Sequence, residues 1–457
     1  MAEEQTKSLL EEIAPLLEGG DREALRRWLD SRRESDIAEL VEAVDPDQAR
    51  RIFDALTTPE AAQVLSKVNE ATRTQVIAWL DDREIQALSG ELDPDKATDL
   101  LAELPTETAE KVLENLSRAE AVDIRRLMRY SPDSAGGIMD PVVISVPANA
   151  TIAETIDRIR AAEIDEDFYF IYIVDQEGRF LGQVRLRLLL TRPETTRTGE
   201  LIESDPITVT TDMDQEEVRN LFSKNDLLVV PVLDQDGRLV GRISADRVIE
   251  VAEKEAAEDL YVMAGTDPDE LESFSVIHAA RIRMTWLLPA LLGTGITATI
   301  LTAFRSHNPT VYLTAVAFAP MIAAISGNAG LQTSAIVVSG LATGHLAALR
   351  LATVLSREVR IAALVALSCA VLGAIACAVL IHTRTPAGTL RSFRLVFAFG
   401  AAMFSAIMVA TTLGLLLPFL FRRFGIDPAI SSGPLVTTAN DSISVAIYMT
   451  LAVLLAG

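Results

Sequence analysis

The second part of this chain cannot fold as a water-soluble domain. From Glu272 to Gly457 it holds four acidic residues (Glu272, Glu358, Asp427 and Asp441), eleven arginines and no lysine. Most of the charges fall between apolar runs, and a helix needs about 20 apolar residues to cross a bilayer. Five spans are predicted: Met284–Phe304, Val311–Ala342, Val359–Ile381, Phe393–Phe421 and Ala429–Ala456. The second is too long for one straight helix. It is interrupted by Pro320 and by Ser326-Gly327-Asn328-Ala329-Gly330-Leu331-Gln332. Small and polar residues at membrane depth predict a broken or closely packed helix beside a wet path, because lipid tolerates loose backbone only there. An odd number of spans puts the termini on opposite sides. With the N-terminus inside, the cytoplasmic flanks carry Arg281, Arg283, Arg350, Arg357, Arg360, Arg422 and Arg423, against Arg305, Arg384, Arg391 and Arg394 outside. That excess has the sign expected of a cytoplasmic face.

The first part is the opposite. Residues 1–271 hold 60 acids and 30 bases, a charge of about −30 against +7 for the remainder. An acidic excess this large repels itself unless counter-ions relieve it. A solvated acidic surface is one reading; cation sensing is the other. Met1–Asp30 is charged and lacks an apolar signal segment, so this part is expected to stay in the cytoplasm. The two cysteines, Cys369 and Cys377, lie in an apolar run and read as small core- or lipid-facing residues. No hydrolytic triad, phosphate loop, dinucleotide fingerprint or zinc spacing is present, and His278, His307, His345 and His382 sit at or near segment ends. The chain does not read as an enzyme, and no nucleic-acid partner is expected.

Four regions follow from the pattern. Residues 1–130 read as an all-α superhelical domain, with apolar residues at helical spacing (Ile37, Leu40, Val41, Val44) and repeated helix starts such as Asp45-Pro46 and Asp93-Pro94. Within residues 131–247, 131–137 form a linker, after which a strand–helix–strand order occurs twice. The first copy has strands at 142–146, 169–175 and 180–185 and a helix at 151–162. The second has strands at 207–209, 228–233 and 239–243 and a helix at 214–224. The two copies resemble a tandem pair of cystathionine-β-synthase (CBS) domains. That family commonly holds an adenosine ribose with an Asp after the last strand; those positions read Leu188 and Arg247, which puts nucleotide binding in question. Residues 248–271 continue as a connecting helix with Glu255, Glu258 and Asp259 on one face. Residues 272–457 form the five-helix transmembrane domain.

Asp441 lies well inside the last apolar run. A carboxylate near the bilayer centre costs at least ~2.5 kcal/mol and persists where a function or a partner compensates it. An interhelical salt bridge is the plain reading, but the spans hold almost no basic partner. With Asn328, Gln332, Thr437, Thr438 and Asn440, Asp441 offers the oxygen ligands that suit a hard divalent cation. One Asp cannot enclose such an ion; two, from a homodimer, face it across an axis.

The whole arrangement resembles the MgtE family of magnesium channels. The resemblance is carried by Tyr130-Ser131-Pro132-Asp133-Ser134-Ala135-Gly136-Gly137-Ile138-Met139, by Ser326–Gln332, and by Asp427-Pro428-Ala429 followed by Gly433-Pro434-Leu435-Val436-Thr437-Thr438 and Asp441. It implies a homodimer in the cell (inner) membrane, with Mg²⁺ as both cargo and regulator. Asp441 would then bind the ion in a pore lined by Asn328, Gln332, Thr437 and Thr438, and the connecting helix would act as a plug. By position it also implies Asp95, Asp99, Asp214, Glu216, Asp226, Glu250, Glu255, Glu258, Asp259 and Asp427 as regulatory ligands that hold the pore shut when cytosolic Mg²⁺ is sufficient. Gln63, Arg247, Ser326 and Leu331 depart from the family pattern. The first two bear on the regulatory sites, and Ser326 and Leu331 leave open a transporter of Co²⁺, Mn²⁺ or Zn²⁺; a membrane-anchored CBS sensor that conducts nothing is a further alternative.

Overall fold

A computed structural model of the chain describes residues 2–19, 21–162, 168–203, 205–268, 270, 276–343, 346, 351–384 and 390–456. The expected domain boundary at 271/272, with Glu272, His345 and Arg350, lies outside the described residues. The chain divides into two compact units, Met1–Ala252 and Glu253–Gly457.

The first unit opens with short helices running from Ala2–Gly19 to Arg118–Leu127. Local chemistry starts them: the Asp45 side chain accepts from the backbone N–H of Asp47 and Gln48 ahead of Pro46, and Asp81 and Ser117 form capping boxes. Glu34–Ala43 packs against Thr58–Lys67, that helix against Asp82–Ser89, and that one against Thr106–Asn115. Alternate helices thus stack one on the next, as in a superhelix. Leu40, Ile52, Val64 and Leu65 fill one end of its core, and Ala97, Leu101, Val112 and Ile124 the other.

The two strand–helix–strand copies form separate three-stranded sheets. In the first, β1 (Ser145–Pro147) pairs parallel with β2 (Phe170–Val174), which pairs antiparallel with β3 (Phe180–Arg185). In the second, β4 (Val209–Thr210), β5 (Val229–Leu233) and β6 (Leu239–Ser244) repeat that order. Both hairpins turn the same way. Asp175 accepts from the backbone N–H of Glu177 and Arg179, and Asp234 from those of Asp236 and Arg238.

The segment expected as a linker, 131–137, is instead part of the second copy. The Ala135 N–H donates to the Met213 carbonyl at 2.7 Å and the Gly136 N–H to that of Thr211 at 3.0 Å. Ala135 is fully buried, so this segment has no slack.

A single helix, Ala245–Ala264, leaves β6 and carries the chain into the second unit, where five helices are long and apolar enough to cross a membrane. These are the first span (Val276–His307), the second (Pro309–Ala342), the third (within Leu351–Arg384), the fourth (within Leu390–Arg423) and the fifth (Pro428–Leu455). The second span breaks just ahead of Pro320, one of the two interruptions expected, and not at the polar run Ser326–Gln332. Helix Pro309–Ala315 gives way to a 3-10 turn at Val316–Phe318, and the helix resumes at Ala319 with Pro320 in its first turn, where a missing N–H costs nothing. The Tyr448 hydroxyl donates to the Ala315 carbonyl at 3.0 Å, giving that buried oxygen a partner at the break. Ser326–Gln332 stays helical and closely packed: a Cβ on Gly414 of the fourth span would come within 2.3 Å of the Gly330 carbonyl oxygen. Phe399 meets Phe318 and Tyr448 edge-on at ring separations of 5.8 and 5.9 Å, anchoring the second, fourth and fifth spans together.

Candidate functional site

In the membrane unit, the fifth span is a 3-10 turn (Pro428–Ser432) followed by helix Pro434–Ala456, so Asp441 falls two turns inside that helix. Asp441 lies against Gly327 of the second span: a Cβ there would sit 3.4 Å from the Asp441 Oδ1 and 3.5 Å from the Thr437 methyl. Thr437 and Asp441 are therefore brought together, four residues apart on one face. Thr438 is turned aside; its methyl is the group a side chain at Gly293 of the first span would strike. Asn328 and Gln332 are also four residues apart and lie exposed on the second span.

Asn440 is turned away from that surface and is only 1% exposed. Its Nδ2 donates to the Ser326 hydroxyl at 3.3 Å, and the Ser326 and Ser444 hydroxyls lie 2.8 Å apart. This polar knot between the second and fifth spans fixes the rotation of the residue next to Asp441. On the other side, Ser442 donates to the Gly293 carbonyl at 3.2 Å and lies 2.7 Å from the Thr297 hydroxyl, tying the fifth span to the first. Among the described residues, no three His, Cys, Asp or Glu side chains of the chain gather as a metal-binding group.

The acidic connecting helix ends against the start of the fifth span. Val262 and Met263 pack with Trp286, Val338, Ala429 and Ile430. Gly265, at φ +77°, stops the helix, and a Cβ there would lie 2.7 Å from the Pro434 ring. Glu255, Glu258 and Asp259 lie on this helix, six to ten residues before its capping glycine, and all three have interaction partners. Asp427 is exposed and caps the 3-10 turn, accepting from the Ala429 N–H at 2.8 Å.

The remaining acids belong to the first unit. Asp214 and Glu216 open helix Gln215–Asn225, with Asp214 accepting from the Glu216 N–H at 2.8 Å. Asp226 ends that helix in the left-handed region at φ 50° and lines a cleft of about 740 Å³ between the two CBS-like copies, with Tyr169, Phe170, Arg185 and Arg187. Leu188, at the ribose-acid position, packs against the first copy's apolar core.

Asp95, Asp99 and Glu250 converge on Arg247. The Arg247 Nη2 donates to the Asp99 Oδ2 at 2.7 Å and its Nη1 to the Glu250 Oε2 at 3.0 Å. Burial pushes the Asp95 carboxyl up to about 6; Arg247 opposes that shift, and Asp140 and Asp99 add to it. Burial works against the Arg247 charge as well, but Asp99, Asp95 and Glu250 outweigh it and its pKa rises. Sequence reasoning noted Arg247 only as a departure. Asp99 is 148 residues away along the chain, and nothing local announces it as a partner.

Comparison with known proteins gives matches over nearly the whole chain. A family model described as a divalent cation transporter matches residues 319–451, one for the MgtE intracellular N domain matches 32–133, and the CBS domain model matches 135–193 and 199–254. The magnesium transporter MgtE of Thermus thermophilus is 31% identical over 451 residues, covering 96% of each chain. That of Enterococcus faecalis is 33% identical over 334 residues, covering 73% of this chain and 71% of its own. A solved structure of the cytosolic domain of the Mg²⁺ channel MgtE in complex with ATP matches with a TM-score of 0.50 at 31% identity, over 52% of this chain and 98% of that one.

Proposed function

Because this chain belongs to the MgtE family, a multi-pass membrane protein with its N-terminal domain in the cytoplasm, we propose that it is a homodimeric Mg²⁺ channel closed by cytosolic Mg²⁺. The observation that carries this reading is Asp441, a carboxylate inside a membrane span beside the side-chain-free Gly327, with Thr437 on its face. Two copies meeting at this surface would face a hydrated ion with two carboxylates. Asn328, Gln332 and Thr437 would then hold its water shell from nearby, whereas Thr438, whose hydroxyl donates to the Pro434 carbonyl at 2.7 Å, faces the first span. Mg²⁺ gives up water reluctantly, so contact through that shell selects the ion and still releases it. A membrane potential of 100 mV supplies ~2.3 kcal/mol per charge and about twice that for a divalent ion, so inward flow needs no ATP.

Closure follows from linkage. Cytosolic Mg²⁺ shifts the channel toward the shut state by as much as it prefers that state. The acids that would carry this preference are Glu255, Glu258 and Asp259 on the helix ending at Pro434, with Asp427, Asp214, Glu216 and Asp226. The ATP bound by the solved neighbour is not carried over to this mechanism, because the two ribose-acid positions here are Leu188, packed in an apolar core, and Arg247, tied to Asp99.

The test is Asp441→Asn in a host lacking its own Mg²⁺ uptake. Uptake is expected to fall at least tenfold while the protein still reaches the membrane; unchanged uptake would overturn the pore assignment. Competition by Mn²⁺, Co²⁺ and Zn²⁺ in the same assay reads selectivity. The lack of a thiolate or imidazole in this oxygen-donor set favours the hard ion.

A further inference from the structure

The junction between the helical domain and the second CBS-like copy carries its own cation. Asp95 and Asp99 come from helix Pro94–Ala102, and Glu250 from helix Ala245–Ala264. A cleft of about 450 Å³ there is lined by Asp93, Asp95, Asp140, Asp246 and Glu250, but also by Lys96, Arg242 and Arg247. Arg242 is spent on Asp140, at 2.8 Å with 8% and 15% of the two side chains exposed. Arg247 is the bridge between the domains: from helix Ala245–Ala264 its guanidinium reaches Asp99 of the helical domain, while Glu250, three residues on along its own helix, steadies it, with 18% of the side chain exposed.

We infer that Arg247 holds the helical domain on the second CBS-like copy without a divalent ion, so that Asp95, Asp99 and Glu250 form a permanent latch and not an ion sensor. A guanidinium is always charged and presents a planar fork of donors, so it can neutralise and join two carboxylates at once. That is the task a bridging Mg²⁺ would perform, and the two cannot share the site. An ion entering among these carboxylates must expel Arg247 or leave a second cation crowded against it. Expelling it would leave a guanidinium that is only 18% exposed without its carboxylates, a cost the entering ion must bear. The arginine is also tethered, at an effective concentration of about millimolar or more.

The consequence for gating rests on the proposed function, whereas the latch itself does not. If both hold, Mg²⁺ sensing falls to the acids outside this junction, foremost Glu255, Glu258 and Asp259, and the helical domain moves as one body with the second CBS-like copy.

The test is hydrogen exchange in the full-length protein in lipid nanodiscs, with Mg²⁺ or with a chelator at matched ionic strength. For the wild type, amides of helix Pro94–Ala102 are expected to exchange at rates within about twofold in the two conditions. In Arg247→Gln, exchange there should accelerate at least tenfold in chelator while β5 and β6 stay protected. A tenfold loss of protection in the wild type on removing Mg²⁺ would overturn the latch, as would undisturbed protection in Arg247→Gln without Mg²⁺. Where Arg247→Gln also exposes β5 and β6, Asp99→Asn reads the same contact from the helical side, and the wild-type comparison still decides. Transport does not enter this readout. Channel closure that ignored cytosolic Mg²⁺ would count against the gating reading and leave the latch standing.

Discussion

Ser326 shows how much a single hydroxyl can decide beside the proposed ion site. It is fully buried, it gives the Asn440 amide a partner, and it lies 2.8 Å from the Ser444 hydroxyl. Hydrogen bonds between membrane helices contribute about 0.6 kcal/mol on average and up to about 1.7. Ser326→Ala is therefore expected to destabilise the protein by about 1 kcal/mol. Ser444→Ala should do the same, and the double variant should cost less than the sum because the two share one network. A double-mutant cycle on thermal unfolding in detergent checks this, and strict additivity would mean the two hydroxyls act independently. Glu60 offers a second test, in the helical domain. Arg26 grips its carboxylate through both Nη atoms and the Thr57 hydroxyl and N–H add bonds, which together pull it down to about 2 against the cost of burial. The folded-state pKa is depressed, so this stabilisation is fully present above the ordinary glutamate range and disappears as pH falls toward 2. Glu60→Gln should lose about 1 kcal/mol at pH 7, a figure reduced for a pair that solvent still reaches, and the gap to wild type should close on acidification. A gap independent of pH would mean that charge is not what Arg26 recognises.

At the scale of elements, the connecting helix matters through its last residue. Gly265 is needed twice over: its φ of +77° is unfavourable for any side chain, and a Cβ would press on Pro434 at 2.7 Å. Gly265→Ala is expected to push the helix end off the start of the fifth span and weaken closure. Uptake at high cytosolic Mg²⁺ should rise severalfold, measured as flux against internal Mg²⁺; unchanged inhibition would show that this contact does not hold the gate. The periodic elements could be read from the sequence because their signals are local. Thr151 and Asp214 cap helices that begin one residue later, and Gly178 and Gly237 take the positive-φ positions of two matching turns. In the second span only one of the two local signals held: Pro320 marks the break, whereas the polar run does not. Ser326–Gln332 has the composition of an interruption, yet packing against Gly414 keeps it helical, and the break falls in apolar Val316–Phe318, where Tyr448 supplies the missing donor. The site divides along the same line. The cost of a carboxylate in lipid singles out Asp441 from sequence alone, whereas the inward turn of Asn440 and the grip of Arg247 on Asp99 depend on residues more than a hundred positions away.

For the whole molecule, the relevant quantity is charge. Residues 1–271 carry about −30 and the remainder about +7. Any cation relieves such self-repulsion, so stabilisation by salt does not by itself reveal a sensor. Valence and position separate the two effects. If Glu255, Glu258 and Asp259 bind Mg²⁺ in the shut state, a few millimolar Mg²⁺ should raise the melting temperature more than NaCl at the same ionic strength, since an ion that binds the native state stabilises it by mass action. Neutralising all three as Glu255→Gln, Glu258→Gln and Asp259→Asn should remove that excess, leave the response to NaCl in place, and keep the channel open at millimolar cytosolic Mg²⁺. Melting of the full-length protein and flux through it in proteoliposomes measure the two halves separately. An excess that survives the triple change would move the sensor to Asp214, Glu216, Asp226 or Asp427. With no excess even in the wild type, the acidic half would be a solvated surface, and its sixty carboxylates would have no say over access to Asp441.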